Sequence, residues 1–147
     1  MAQKRIAIGI ILAVMVSAPT RLLACSCVTV GTGEFDYRQT AKDSAAVFRG
    51  TVVEVLQLQS VALRMVVVDA DAAWAGIKSR RVYVFTGYGG GDCGYPFEVG
   101  KQYIVWANRN EEWAPGELST GTCSFTTPLE AAGEQLRQLG KPRKVKE

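Results

Sequence analysis

No histidine occurs anywhere in the 147 residues. That absence removes Ser-His and Cys-His nucleophile pairs and argues against a zinc site held by the chain's own side chains. An excess of one charge is also missing once the chain is divided. Lys+Arg total 17 against 14 Asp+Glu, but Lys4, Arg5 and Arg21 lie in the first 24 residues, which hold no acid. The remainder is neutral in side-chain charge. It offers no clustered positive surface of the kind nucleic acid requires, apart from a small basic tail at 141–147, which reads as a frayed, solvated terminus. No internal repeat occurs, and no low-complexity stretch beyond one glycine cluster. That cluster, "GYGGGDCG", is not a phosphate loop, because no Lys-Ser/Thr pair and no helix follow it. It reads as a flexible loop that lets Cys93 reach a distant partner.

What is present begins with a leader. Lys4 and Arg5 precede an apolar run at 6–16, broken only by Gly9, and then come Ser17, Pro19, Arg21 and the small Ala24. This is the order of a secretory signal peptide over residues 1–24. The run is shorter than the ~20 apolar residues that span a bilayer, and no second run of that length follows. Residues 25–140 then make one domain, large enough to bury a core. Four cysteines, an even count in an exported chain, predict two disulfides rather than metal ligands or catalytic thiols. The expected location is secreted or periplasmic.

The pattern along the domain is mainly β. "EFDYRQTAKDSAAVF" predicts a short helix with Phe35, Tyr37 and Ala41 as its apolar residues. "AVFRGTVVEVLQLQ" predicts a strand, with Gly50 marking a bulge or bend. "SVALRMVVVDADAAW" follows almost at once and pairs antiparallel with it. "RRVYVFTG", "KQYIVWANR" and "LSTGTCSFT" predict strands three to five. In "TTPLEAAGEQLRQLG", Thr127 caps a helix, Pro128 takes its first position and Glu130 completes a capping box. Leu129, Ala132, Leu136 and Leu139 share one face, and Gly140 ends the helix. The expected fold is a five-stranded antiparallel, partly open Greek-key barrel of OB type with flanking short helices. A sandwich is the alternative.

Cys25 and Cys27 are separated by one residue, so a bond between them would close a strained ring. Each therefore reaches Cys93 or Cys123. Two pairings remain, 25–93 with 27–123 or 25–123 with 27–93. Both close long loops, for which chain entropy gives on the order of 4 kcal/mol per bridge, so a purely structural role suffices to explain all four cysteines. Their position adds a second use. If the leader is cut after Ala24, Cys25 becomes the chain end, and a terminus that is normally floppy is pinned twice within three residues. An α-amine ordinarily titrates at about pH 8. The neutral amine and the Cys25 carbonyl oxygen together form a five-membered chelate for a metal ion. A catalytic zinc keeps one position open for water, and such a chelate expels that water.

The segments "CSCV" at 25–28, "AVFRGTVVEV" at 46–55, "CGYPFEVGKQYIVWA" at 93–107 and "LSTGTCS" at 118–124 resemble the tissue inhibitor of metalloproteinases family, and more closely its short bacterial relatives. The resemblance spans nearly all of the chain after residue 24. It implies an OB-like barrel with the pairing 25–93 and 27–123. No cofactor and no metal of the chain's own are expected. The resemblance also implies inhibition of a zinc metalloproteinase, the chain's expected partner. Cys25 would supply amine and carbonyl, Ser26 would enter the target's first primed pocket, and Cys27 and Val28 would continue the ridge. The animal members carry a third bridge in this domain, which four cysteines cannot provide.

Two other readings are open, the first on the same residues. "LLAC" resembles a lipobox, and lipidation at Cys25 would consume both its sulfur and its amine. Pro19 and Arg21 interrupt the apolar approach such a leader needs, and Leu23 is bulky where a small residue is usual. The second alternative is a non-inhibitory binding barrel, with Trp113 in the "NEEWAPG" loop as the aromatic suited to a partner contact. Trp74 and Trp106 sit in strand patterns and read as core. Catalysis is not expected. The carboxylate pairs Asp69/Asp71 and Glu111/Glu112 read as solvated surface charges. The chain is expected to be a monomer that binds neither nucleic acid nor, unless lipidated, a membrane.

Overall fold

The computed structural model describes Cys25, Cys27, residues 35–112 and residues 114–146. The leader at 1–24, together with Ser26, Val28 and Trp113, lies outside the described residues. Among the described residues, seven strands form the sheet: β1 (Ala46–Leu58), β2 (Leu63–Ala75), β3 (Arg81–Thr86), β4 (Gln102–Arg109), β5 (Leu118–Ser119), β6 (Thr127–Pro128) and β7 (Arg143–Lys144). Helix α1 spans Tyr37–Asp43 and α2 spans Gly133–Leu139.

Five of these strands close a ring in the order β1-β2-β3-β5-β4 and back to β1. This is the expected OB-like barrel. All its pairings are antiparallel except β3–β5, which is parallel through the single pair Phe85↔Ser119. Closure there is slight, as a partly open barrel implies. The reason is length: the fifth strand, expected over 118–126, ends at Ser119. Beyond it, side-chain hydroxyls rather than a ladder hold the chain.

Strand β1 makes the ring possible by pairing on both edges, Ala46–Thr51 with β4 and most of its length with β2. Serving two neighbours requires a sharp bend, and the register shifts between Arg49 and Gly50. A Cβ on Gly50 would lie 2.6 Å from Val68 Cγ1 and 2.7 Å from the Asp69 carbonyl oxygen. Only glycine lets the strands approach this closely.

Alternation then divides the core in two. Phe48, Val52, Val66, Val68, Val84 and Val105 fill the barrel. Val47, Ile104 and Trp106 point outward, under α1 and α2. That explains the unbroken apolar run "YIVWA": β4 is buried on both faces, as continuous hydrophobic strands are. Trp106 is core, as its strand position predicts. Its Nε1 donates to Gln135 Oε1 at 2.8 Å. Trp74 packs against the same cluster and donates to the Gly140 carbonyl oxygen at 2.8 Å.

Helix α1 forms where expected. Asp36 caps it by accepting the Gln39 N–H at 2.8 Å, and the Phe35 and Tyr37 rings pack on Phe125. Helix α2 departs from expectation at its start. The Thr127 capping box does not form, because Thr127 and Pro128 pair with β4 as β6, and a 3-10 turn over Leu129–Ala131 comes before the helix. The apolar face survives the shift: Leu129, Ala132, Leu136 and Leu139 all reach the outer cluster, and Gly140 stops the helix at φ 69°.

The basic tail is not a frayed end. Arg143 and Lys144 pair antiparallel with Ala73 and Ala72 of β2, where β3 no longer covers the β2 edge. An open sheet edge takes up any strand able to reach it.

Candidate functional site

Two loops at one end of the barrel carry the disulfide partners. The first, between β3 and β4, turns through a 3-10 segment at Gly90–Asp92. It is tightly built rather than merely flexible. The Asp92 carboxylate accepts the backbone N–H groups of Tyr88 at 2.6 Å, Gly89 at 2.7 Å and Gly94 at 3.1 Å. Partial desolvation pushes the Asp92 pKa up, but these N–H groups outweigh it and hold the carboxyl below its ordinary value. Gly94 packs against Gly87 so closely that a Cβ on it would lie 2.2 Å from the Gly87 carbonyl. Arg64 of β2 clamps both limbs, donating to the carbonyl oxygens of Gly87 at 2.9 Å and Tyr95 at 3.0 Å. The turn leaves Cys93 in the left-handed region, φ 58°, a conformation uncommon for a residue with a Cβ.

The second loop, 120–126, is held by hydroxyls. Thr120 Oγ1 donates to the Trp106 carbonyl oxygen at 2.8 Å and lies 2.7 Å from Ser124 Oγ and 2.8 Å from Thr126 Oγ1. Thr126 Oγ1 in turn accepts the Trp106 N–H at 3.0 Å. The two threonines replace strand pairing with β4 at this point and fix the loop that presents Cys123. The loops also bond to each other, since Thr122 N–H donates to the Cys93 carbonyl oxygen at 2.8 Å.

On this platform the disulfides are Cys25–Cys93 and Cys27–Cys123, with Cα separations of 5.5 and 5.1 Å. Of the two pairings compatible with the spacing, this is the one the family resemblance implies. Cys25 is half-buried and Cys27 exposed. A shallow groove of about 370 Å³ is lined by their partners Cys93 and Cys123, with Asp92, Asn108, Ser119 and Thr120. The structure thus brings Cys25, Cys27, Cys93 and Cys123 together, while Ser26, Val28 and Trp113 fall outside the described residues.

The carboxylate pairs are tied up elsewhere or solvated. Asp69 pairs with Arg81 at 2.7 Å and Asp71 with Arg49 at 2.8 Å, and Glu111 and Glu112 are exposed. Among the described residues, no group of three or more His, Cys, Asp or Glu could hold a metal ion, and no helix is long and apolar enough to cross a membrane. Two disulfides point to an oxidising, exported compartment.

Sequence reasoning missed Arg64, Asp92, Thr120, Thr122 and Thr126. Asp92 carries a signal in hindsight: an acid among glycines is the residue type that collects loop N–H groups. No protein-family model matches the chain, and no curated protein matches it significantly in sequence.

Proposed function

We propose that the chain is an exported inhibitor of zinc metalloendopeptidases, acting through a mature terminus at Cys25. The observation that carries this reading is the pinning of Cys25 and of Cys27 to two loops that are themselves hydrogen-bonded together. A chain end held at Cys25 and Cys27 has lost much of its freedom before it meets a partner, and the ordering cost of binding is correspondingly smaller. In the inhibited complex, the α-amine and carbonyl oxygen of Cys25 occupy the zinc position that water needs, Ser26 enters the adjoining pocket, and Cys27 and Val28 extend the contact along the cleft. The sequence resemblance supplies the target class, and the pinned geometry suits it.

The lipoprotein reading is less compatible with this geometry. A thioether on Cys25 needs the same Sγ that the bond to Cys93 uses. A lipidated chain would also lack the free amine.

The test is inhibition of a panel of purified zinc endopeptidases by protein beginning at Cys25. The expected result is stoichiometric inhibition of at least one member, weakened by acetohydroxamate, a small zinc chelator that competes for the same coordination position. Inhibition that acetohydroxamate leaves unchanged, or none across the panel, contradicts the proposal.

A further inference from the structure

The C-terminal strand gathers basic side chains in one place, although residues 25–147 are neutral in total side-chain charge. Two grooves run beside it. The first, about 550 Å³, has Arg38 and Lys42 of α1 on one side and Lys141 and Arg143 on the other, with no carboxylate among the described residues that line it. The second, about 510 Å³, shares Lys141 and Arg143 and adds Lys144, Arg49 and Arg80. The one acid among the described residues that line it, Asp71, is already paired with Arg49.

The sequence "DADAAWA" of β2 creates the depth. Ala73 and Ala75 floor the first groove, and Ala70 and Ala72 the second. Among the described residues, two guanidinium groups are held by carbonyl oxygens and by no carboxylate. Arg38 donates to the Gln138 carbonyl oxygen at 3.2 and 3.0 Å, and Arg143 donates to the Ile77 carbonyl oxygen. Lys42, Lys141 and Lys144 make no ion pair among the described residues. Clustered cations of this kind raise the local concentration of an anionic partner.

We propose that the two grooves form a binding surface for an anionic polysaccharide, a linear sugar chain bearing carboxylate or sulfate groups. A linear partner fits because shared walls at Lys141 and Arg143 make the grooves one track. A sugar fits because Trp74, its N–H committed to Gly140, adds an aromatic wall among the cations, and aromatic surfaces with a polar edge suit partners that are part apolar and part wet. A membrane surface fits less well. The large exposed hydrophobics, such as Val53, Val61, Tyr83 and Val99, line neither groove. The disulfides favour an exported setting, where surface polysaccharides rather than nucleic acids are the abundant polyanions. This surface uses neither Cys25 nor its amine, so it stands or falls apart from protease inhibition.

Calorimetric titration of the purified, disulfide-bonded protein tests it. The probes are dextran sulfate, polygalacturonate, a deoxythymidylate oligomer and phosphatidylglycerol vesicles, each at about 50 and 200 mM salt. At least one polysaccharide should bind more tightly than the oligomer or the vesicles, and more weakly at the higher salt. Lys141→Glu, which lines both grooves, should weaken that binding by about tenfold or more. Lys101→Glu, an exposed site of equal charge change outside both grooves, should alter it by less than about twofold. The proposal is overturned by no polysaccharide binding at low salt, by equal effects of the two substitutions, or by tighter binding of the oligomer or vesicles.

Discussion

The Cys93 carbonyl oxygen accepts the Thr122 N–H at 2.8 Å, and this bond ties the loop of one disulfide directly to the loop of the other. Cys25 and Cys27 are therefore anchored to one body. Gly121 permits the contact. A Cβ there would lie 2.7 Å from that same oxygen.

Gly121→Ala should separate the loops. Overpacking against backbone typically costs about 1–3 kcal/mol, and a urea denaturation midpoint lowered by the corresponding amount is expected. An unchanged midpoint would mean that the loops are not tightly coupled.

Gln135 is the polar hinge between α2 and the barrel. It accepts from Trp106 Nε1 at 2.8 Å and donates to the Phe125 carbonyl oxygen at 2.9 Å and Thr127 Oγ1 at 2.8 Å. Gln135→Leu keeps the volume but leaves a buried indole N–H unpaired, at about 1–3 kcal/mol. Equilibrium unfolding followed by tryptophan fluorescence should register that loss.

The Cys27–Cys123 bond closes a sequence separation of 96 residues. Replacing both cysteines with serine should lower stability by about 2–5 kcal/mol, with the barrel's far-ultraviolet circular dichroism retained at low temperature. A double variant as stable as the parent would show that the bond constrains little.

Asp92 has a depressed pKa in the fold, so its contribution to the loop has a definite pH sign. It is fully present above the ordinary value of 3.8 and is lost as pH falls through the lower folded value. The amide resonances of Tyr88, Gly89 and Gly94 should titrate together below pH 3.8. Asp92→Asn should abolish that titration, and independent midpoints for the three amides would contradict a shared carboxylate partner.

Much of this was legible in the residues. The alternation in β1 to β4, the Gly50 bend and the aliphatic face of α2 are local patterns with local causes. The site was legible through cysteine spacing, but the choice between two pairings needed the family resemblance. What escaped depended on the assembled barrel. "KPRKVKE" has one apolar residue, Val145, and no strand pattern, so β7 exists only because β2 presents an open edge at Ala72 and Ala73. Thr127 looked like a helix cap because a strand partner 23 positions earlier in sequence, Ile104, is invisible locally. The Thr120–Thr126 hydroxyl bridge likewise requires the Trp106 backbone to be brought beside it. Scattered hydroxyls show no periodicity.

The central claim is that a free Cys25 amine binds a target's zinc. Comparing inhibition by protein that starts at Cys25 with the same protein carrying one added alanine before it tests this most directly. The alanine removes the α-amine from Cys25 and leaves both disulfides and the barrel in place. The account predicts loss of inhibition by at least about two orders of magnitude, since an amine that cannot chelate leaves the nucleophilic water on the zinc. Equal inhibition by the two proteins would contradict it.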